Sequence, residues 1–408
     1  MTENALAAVA AKSSLVLSRP PRTILVACTR RIGDVLLATP LVRSLKARWP
    51  EAQIDMLVFR GTEGVLEHNP DLRRVIVMSQ RARLRERIAD IARIWRRYDL
   101  ACAAVSSDRP RFYSWFAGRQ RVGLVDDDRV TRLKRFLLDG IALNYHTAAH
   151  TVESSLEVAR VLGIEPIAEV VPPGIGDDPA RRAAFEAHFS TVAGQPLAVL
   201  HPAPMFTYKR WRVEGWADLI RWLRAQGFAV AMSGGPAAAE REYAQQVAAA
   251  AGGPLLNFVG QFSLGESAEL FRRAKIFVGP DTGATHMAAA TGTPTVALFG
   301  PSDPVRWGPW PKAWPAGSNP WPLVGSGCRG NVYLVQGEAA CVPCKQEGCE
   351  RHVQSASECL ATLSTERVIG AMTQMLALSM PSAFAEGEAG ATTAIVDTSA
   401  LGSLGGRR

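Results

Sequence analysis

Short apolar runs recur in two successive series along this 408-residue chain, with helical stretches between them, and that alternation leaves few folds open. In the first series, 23–27, 54–59, 75–77, 100–105 and 120–124 read as strands, and 35–49 reads as an amphipathic helix. In the second, 197–200, 229–232, 255–259, 276–278 and 295–299 are the strands, with helices between most of them. Each series predicts a parallel sheet with helices on both faces. Two such doubly wound units imply an α/β protein of two Rossmann-like domains, whose ligands bind in the crevice outside the carboxyl ends of the strands. Val170-Val171-Pro172-Pro173-Gly174 suits the connection. The expected division is therefore a first domain at 22–173 and a second at 174–380. A flexible start at 1–21 and a tail at 381–408, whose small residues lack periodicity and are expected to be disordered, flank them.

A hydrophobic content of 47% is enough for more than one core. The net charge of +8 comes with Arg interspersed among Asp and Glu, so acidic lipid or an anionic glycan fits it as well as nucleic acid does. No recognisable nucleic-acid motif accompanies the charge, and no nucleic-acid partner is expected. No apolar run reaches the roughly 18 to 20 residues that cross a bilayer, and Glu3 stands where a secretory signal carries positive charge. These features predict a cytoplasmic protein.

Two turns carry most of the chemistry. Val278-Gly279-Pro280-Asp281-Thr282-Gly283-Ala284-Thr285-His286 breaks an apolar run at Gly-Pro, offers Asp and Thr as caps, and enters a small-residue helix. Gly283 lets the backbone approach a ligand, and the free N–H groups of a first helical turn attract an anion such as phosphate. Asp34, in Ile32-Gly33-Asp34-Val35-Leu36-Leu37-Ala38-Thr39-Pro40, sits at the turn after the first strand, where it is either a helix cap or a base facing the crevice. Lys209, in Tyr208-Lys209-Arg210-Trp211 after His201-Pro202, can neutralise a diphosphate as a compact charge. Glu240, in the helix after Ser233-Gly234-Gly235-Pro236, is placed to accept ribose hydroxyls. Asp126-Asp127-Asp128 reads as a turn and helix cap rather than as a cation site.

Of seven cysteines, Cys28 and Cys102 lie in strand-like runs and read as buried apolar residues. Cys341-x2-Cys344-x4-Cys349-x9-Cys359, within a Cys-rich segment at 328–359, has spacings that could close on one tetrahedral ion, with His352 as an alternative ligand. In a reducing compartment this leaves structural zinc or iron, stapling a long loop, or free thiols.

Together, the Ile32 to Pro40 words, His201-Pro202 with Lys209-Arg210-Trp211, Gly234-Gly235-Pro236, Asp281 to His286, and Phe299-Gly300-Pro301-Ser302-Asp303-Pro304 resemble the family-nine glycosyltransferases, the ADP-heptose:lipopolysaccharide heptosyltransferases. The resemblance runs in order from about residue 22 to about 378. It implies a GT-B fold, with the acceptor held mainly by the first domain and ADP-heptose by the second, and inverting transfer with no cofactor required for catalysis. It also implies Asp34 as base and a donor site of Lys209, Glu240, Asp281, Thr282, Gly283 and His286. Where many members have two serines this chain has Arg30-Arg31, and this pair and the Cys-rich segment resemble the heptosyltransferase III branch, which adds a heptose to one already in place. Arg30, Arg31, Arg109 and Arg111 are then candidate contacts to an acidic acceptor. The resemblance further implies a peripheral enzyme at the inner face of the inner membrane, with the lipopolysaccharide core and the membrane surface as partners. The other readings are a heptosyltransferase acting on protein hydroxyls and a non-catalytic nucleotide-sugar-binding protein.

Overall fold

The computed structural model of the protein describes residues 14–81, 83–126, 136–144 and 149–378. Residues 1–13, Asp127, Asp128 and everything from 379 onward lie outside these, and with them most of the expected flexible start, two of the three carboxylates and the tail.

Leaving aside short 3-10 turns, the first half contains β1 (Thr23–Cys28), α1 (Ile32–Leu37), α2 (Thr39–Arg48), β2 (Gln53–Phe59), β3 (Arg74–Met78), α3 (Leu84–Ile94), β4 (Tyr98–Ala103), α4 (Asp108–Ala117), β5 (Gly118–Asp126), β6 (Gly140–Asn144) and α5 (Thr151–Val161). After α6 (Pro179–Ala187) come β7 (Leu197–Leu200), α7 (Val213–Ala225), β8 (Ala229–Met232), α8 (Ala238–Ala251), β9 (Leu256–Asn257), α9 (Leu264–Arg273), β10 (Ile276–Pro280), α10 (Gly283–Thr291) and β11 (Thr295–Phe299). The chain then forms α11 (Pro304–Trp307), β12 (Gly327–Arg329), β13 (Val332–Gln336), α12 (Glu358–Ala361) and α13 (Thr365–Leu378).

The first sheet has the order β3-β2-β1-β4-β5-β6, all parallel. The second has the order β12-β13-β11-β10-β7-β8-β9, parallel except for the β12–β13 edge. Without β12 the two sheets repeat one topology, in which the strand order reverses between β1 and β4 and again between β7 and β10. A crevice opens at the carboxyl ends on each side of such a reversal. The turn carrying Asp34 follows β1, and the turn carrying Asp281 follows β10. Both β7 and β10 are buried along their whole length. Each Leu, Ile or Phe in them stabilises the fold by about 1.5–3 kcal/mol, which anchors the strand ends that present the site.

The helix expected over 35–49 is two helices that meet at Ala38. Pro40 explains the break, because it has no N–H to donate and its ring crowds the carbonyl four residues back. That carbonyl, of Leu36, accepts instead from Thr39 Oγ1 at 2.7 Å. The strand expected at 255–259 shrinks to two residues, and β6, β12 and β13 are strands that sequence reading did not find. The Val170 to Gly174 connection lies along the first sheet's helices, with Val171 N–H donating to Thr39 Oγ1 at 2.9 Å and Gly174 N–H to Glu67 O at 3.1 Å.

His150 ties the two halves together. It is fully buried at the N-cap of α5, where its Nδ1 accepts from Val152 N–H at 3.1 Å. That bond fixes the tautomer, so Nε2–H donates to Gly308 O at 2.7 Å. Burial pushes its pKa down to about 3 against an ordinary 6.5, opposed by the bond to Gly308. Since only the unfolded chain takes up this proton between pH 6.5 and about 3, stability present above pH 6.5 is lost as the pH falls through that window. The expected slope from this one group is about 1.4 kcal/mol per pH unit. Chemical denaturation across pH should show it, and His150→Gln should have a flatter profile than wild type in the same range.

Candidate functional site

The Asp34 turn is built by the end of β1. Val26, Ala27 and Cys28 are fully buried, and the chain then leaves the sheet through Thr29 and the exposed Arg30 and Arg31 into the first turn of α1. Asp34 lies in that turn, but Arg31, at the N-cap, makes no side-chain capping bond. Burial raises the Asp34 pKa, and the cations of Arg30, Arg31 and Arg306 together with a backbone bond from Arg31 pull against it. A carboxyl poised above its ordinary value is a better proton acceptor than an exposed aspartate, provided it is ionised.

Arg306, in the four-residue α11, belongs to the second half of the chain yet contributes to the electrostatics of Asp34. Burial lowers its own pKa, with Asp34, Asp126 and Asp303 opposing. Sequence reading missed Arg306, although it follows two residues after the Phe299 to Pro304 segment. Asp303 caps α11 by accepting from Val305 N–H at 3.0 Å, which fixes where Arg306 emerges.

The N-terminus of α10 abuts the Asp34 turn. A Cβ on Gly283 would stand 3.2 Å from Ile32 Cγ2 and 3.7 Å from Gly33 N, and one on Gly33 would stand 3.7 Å from His286 Cδ2. The two helix starts, one from each sheet, thus face each other across the crevice. Thr282, at the N-cap of α10, makes no side-chain capping bond, and the first helical bond runs from His286 N–H to Thr282 O. The preceding amides of the turn remain donors for an anion.

Asp281 is the hub of this turn. Its Oδ2 is 2.5 Å from Lys209 Nζ and its Oδ1 is 3.8 Å from His286 Nε2. Burial alone would raise its pKa, but the Lys209 ammonium and then His286 outweigh that and hold the carboxyl far below the ordinary range. His286 is 5% exposed, and its Nδ1 finds no hydrogen-bond partner among the described residues. The structure therefore gathers Asp34, Lys209, Asp281, Thr282, Gly283 and His286 around one crevice.

Glu240 stands beside the turn after β8, where its Oε2 accepts from Gly235 N–H at 2.7 Å, and burial raises its pKa. Next to it Arg241, Gln245, Asn257, Val259, Gly260 and Gln261 line a cavity of about 380 Å³. His201 Nδ1 lies 3.0 Å from Ser233 Oγ, so this histidine braces β7 against the β8 turn.

The four arginines separate. Arg30 and Arg31 are exposed at the rim, and the Arg31 guanidinium lies 4.6 Å from the Phe206 ring, on the loop leading to Lys209. Arg109 is exposed, with its guanidinium 5.3 Å from the Phe59 ring. Arg111 corrects the expectation of an acceptor contact, because it is 2% exposed. Its guanidinium is consumed by Leu124 O at 3.1 Å, by Ser106 O and by Asp108. It holds α4 to the sheet and has no face to offer a ligand.

The cysteines fall into two groups. Cys28 and Cys102 are buried as expected, but no group of three or more His, Cys, Asp or Glu residues among the described residues is arranged to hold a metal. A metal centre at Cys341, Cys344, Cys349 and Cys359 is therefore not supported by the arrangement of the described residues. The four are near neighbours all the same: burial raises the Cys359 pKa to about 11, and the other three thiols add to the rise. The segment is held by ordinary bonds. Lys345 pairs with Asp303 at 2.6 Å, and Lys345 N–H donates to Pro301 O at 2.8 Å. Ser357 Oγ donates to Tyr208 O at 2.6 Å, and Thr207 N–H to Val353 O at 3.2 Å. The Cys-rich segment thus braces both the Lys209 loop and the turn after β11. Protein purified without added metal should contain less than one zinc or iron per chain, with all four thiols titrating. A stoichiometric metal whose chelation lowers thermal stability would restore the staple.

The chain is similar to known proteins over most of its length. The family model described as glycosyltransferase family 9 (heptosyltransferase) matches residues 97–319, which takes in the Lys209 and Asp281 segments but begins after Asp34. Lipopolysaccharide heptosyltransferase 3 of Escherichia coli is 26% identical over 304 residues, covering 68% of this chain and 83% of the relative. Lipopolysaccharide heptosyltransferase 2 of Salmonella typhimurium is 27% identical over 301 residues, covering 67% and 81%. Among solved structures, a glycosyl transferase family 9 protein of Veillonella parvula superposes with a TM-score of 0.70 at 20% identity, covering 88% of this chain and 98% of that one. The ADP-heptose lps heptosyltransferase II of Escherichia coli gives 0.68 at 22% identity, covering 87% and 99%. With more than half of its residues matched by the family model, and with two Rossmann-like sheets in the arrangement of those solved structures, this chain belongs to glycosyltransferase family 9 and is a glycosyltransferase of the GT-B fold.

Proposed function

We propose that this protein moves heptose from ADP-heptose onto the lipopolysaccharide inner core, onto a heptose already in place, by direct displacement with inversion. The observation that carries the reading is the meeting of two helix starts, with Asp34 on one and the uncapped amides and Asp281 on the other. In the step itself the acceptor hydroxyl oxygen bonds to the anomeric carbon of the donor heptose. The bond from that carbon to the diphosphate oxygen breaks with its electron pair leaving on ADP, and the acceptor proton passes to Asp34. The amides of α10 and Lys209 receive the charge that grows on the leaving diphosphate, and Asp281 meets sugar hydroxyls. Glu240 and the cavity beside it take the nucleoside, and Thr282, Gly283 and His286 line the path between nucleoside and sugar. No step needs a metal ion, since cationic side chains and a helix N-terminus supply the positive charge.

The first domain, 22–173, holds the acceptor in this reading and the second, 174–380, the donor. Arg30, Arg31 and Arg109 supply cations for core phosphates or acidic sugars. A lipid-anchored acceptor places the enzyme at the inner face of the inner membrane. No helix among the described residues is long and apolar enough to cross a membrane. Transfer to protein hydroxyls is not favoured, because the curated relatives are lipopolysaccharide and lipooligosaccharide enzymes.

The test is to offer ADP-heptose and a panel of truncated core acceptors to purified protein and follow transfer by mass spectrometry. Addition of one heptose to an acceptor that already carries heptose is expected. Transfer only to a core lacking heptose would overturn the acceptor assignment, and transfer only to polypeptide would overturn the glycolipid reading.

A further inference from the structure

Helix α3 is an amphipathic element that leans on α4 and leaves most of its own surface exposed. Nearly all its residues are exposed or half-buried, and only Ile94 is buried. Leu84, Ile88, Ile91 and Trp95 follow one another at steps of four, three and four, which places them on one stripe. Leu84 is 74% exposed, Ile88 59% and Trp95 51%, and Phe112 on the adjoining α4 adds 42%. Large apolar side chains grouped in this way cost solvation unless something covers them.

The charge around the stripe selects the cover. Residues 81–97 contain seven arginines against two acids, a net +5 within a chain of +8. Both acids are engaged locally: Glu86 accepts from Arg83 N–H at 2.8 Å, and Asp90 pairs with Arg93 at 3.5 Å. Arg81, Arg83, Arg85, Arg93, Arg96 and Arg97 are all exposed. An apolar stripe edged by arginine, with Trp at one end, matches the interface of an anionic bilayer, where the apolar side chains enter the acyl boundary and guanidinium groups meet phosphate. Leu84 follows the carboxyl end of β3, so the stripe begins at the same end of the sheet as the Asp34 turn.

We propose that α3, through Leu84, Ile88 and Trp95 and with Phe112 beside it, docks the first half of this protein on an anionic phospholipid surface, with the mouth of the crevice toward the lipid. The proposal rests on the lipid-anchored acceptor of the reading above. Its test is independent of transfer.

Full-length protein is sedimented with vesicles of phosphatidylethanolamine and phosphatidylglycerol, and with vesicles of phosphatidylcholine alone, without donor or acceptor. Binding is expected only to the anionic vesicles, to weaken as salt is raised, and to fall at least about tenfold in Leu84→Ser/Ile88→Ser and in Arg85→Glu/Arg93→Glu. Both variants should keep the wild-type melting temperature and the wild-type rate on a deacylated, water-soluble core acceptor. Equal binding by wild type and both variants would overturn the proposal, as would equal binding to neutral vesicles. So would self-association that the serine variant abolishes while neither protein binds lipid.

Discussion

Asp34→Asn is expected to bind ADP as wild type does and to transfer heptose at least about a hundredfold more slowly, the lower range for loss of a general base. Asparagine keeps the shape of the side chain and removes only its ability to take a proton. The fold should be untouched, because the amide oxygen of asparagine can still accept the backbone N–H bond from Arg31, and the raised pKa of Asp34 shows that burial already disfavours its charge. The same shift fixes the pH dependence. The base works only when ionised, so kcat should fall with decreasing pH through a value above that of an ordinary aspartate. That acidic limb should disappear from the residual activity of the variant. Turnover near wild type, or an unchanged acidic limb, would remove Asp34 from the reaction.

The second large effect separates Lys209 from Asp281, which the structure couples at 2.5 Å. Lys209→Ala should weaken ADP binding and lower kcat/KM by about a hundredfold or more, the cost of losing one group that stabilises the departing charge. It also strands Asp281, 8% exposed, without its main counter-ion, so a lower melting temperature is expected as well. Asp281→Ala should behave differently. ADP has no sugar for Asp281 to meet, and Lys209 is released to the diphosphate, so ADP affinity should stay within about tenfold of wild type or tighten. Transfer, which needs the sugar held, should drop far more. Calorimetry with ADP set beside kinetics with ADP-heptose measures both quantities. Equal losses of ADP affinity and transfer in Asp281→Ala would make this carboxylate a support of the nucleotide pocket or the fold.

The parts legible in the sequence share a physical reason. Strands β7, β8 and β11 have the bounds read from sequence, because each is an almost wholly apolar run ending where the chain changes character. By contrast β6 follows a polar, basic stretch and opens on a glycine, and β13 reaches its place by pairing with β11, nearly forty residues earlier. The break between α1 and α2 was signalled by Pro40, but the amphipathic pattern on either side of it masked the signal. At the site, Asp34 and Asp281 were legible as polar residues where an apolar strand stops. The pairing of Asp281 with Lys209, 72 residues away, was not, since only the fold brings β7 and β10 side by side. Arg111 was misjudged because sequence alone does not distinguish an arginine that meets solvent from one that caps carbonyls inside. Arg306 was overlooked because no local pattern announces that α11 reaches the Asp34 turn.

Direct displacement by an acceptor that Asp34 activates is the centre of the account, and the stereochemistry of one turnover tests it most directly. Excess enzyme is mixed with ADP-heptose and a heptose-bearing core acceptor, and the anomeric centre of the product is read by nuclear magnetic resonance. The account predicts complete inversion, with no heptose covalently attached to the enzyme at any time in the turnover. Retention of configuration, or a glycosylated enzyme that forms before product, would contradict it.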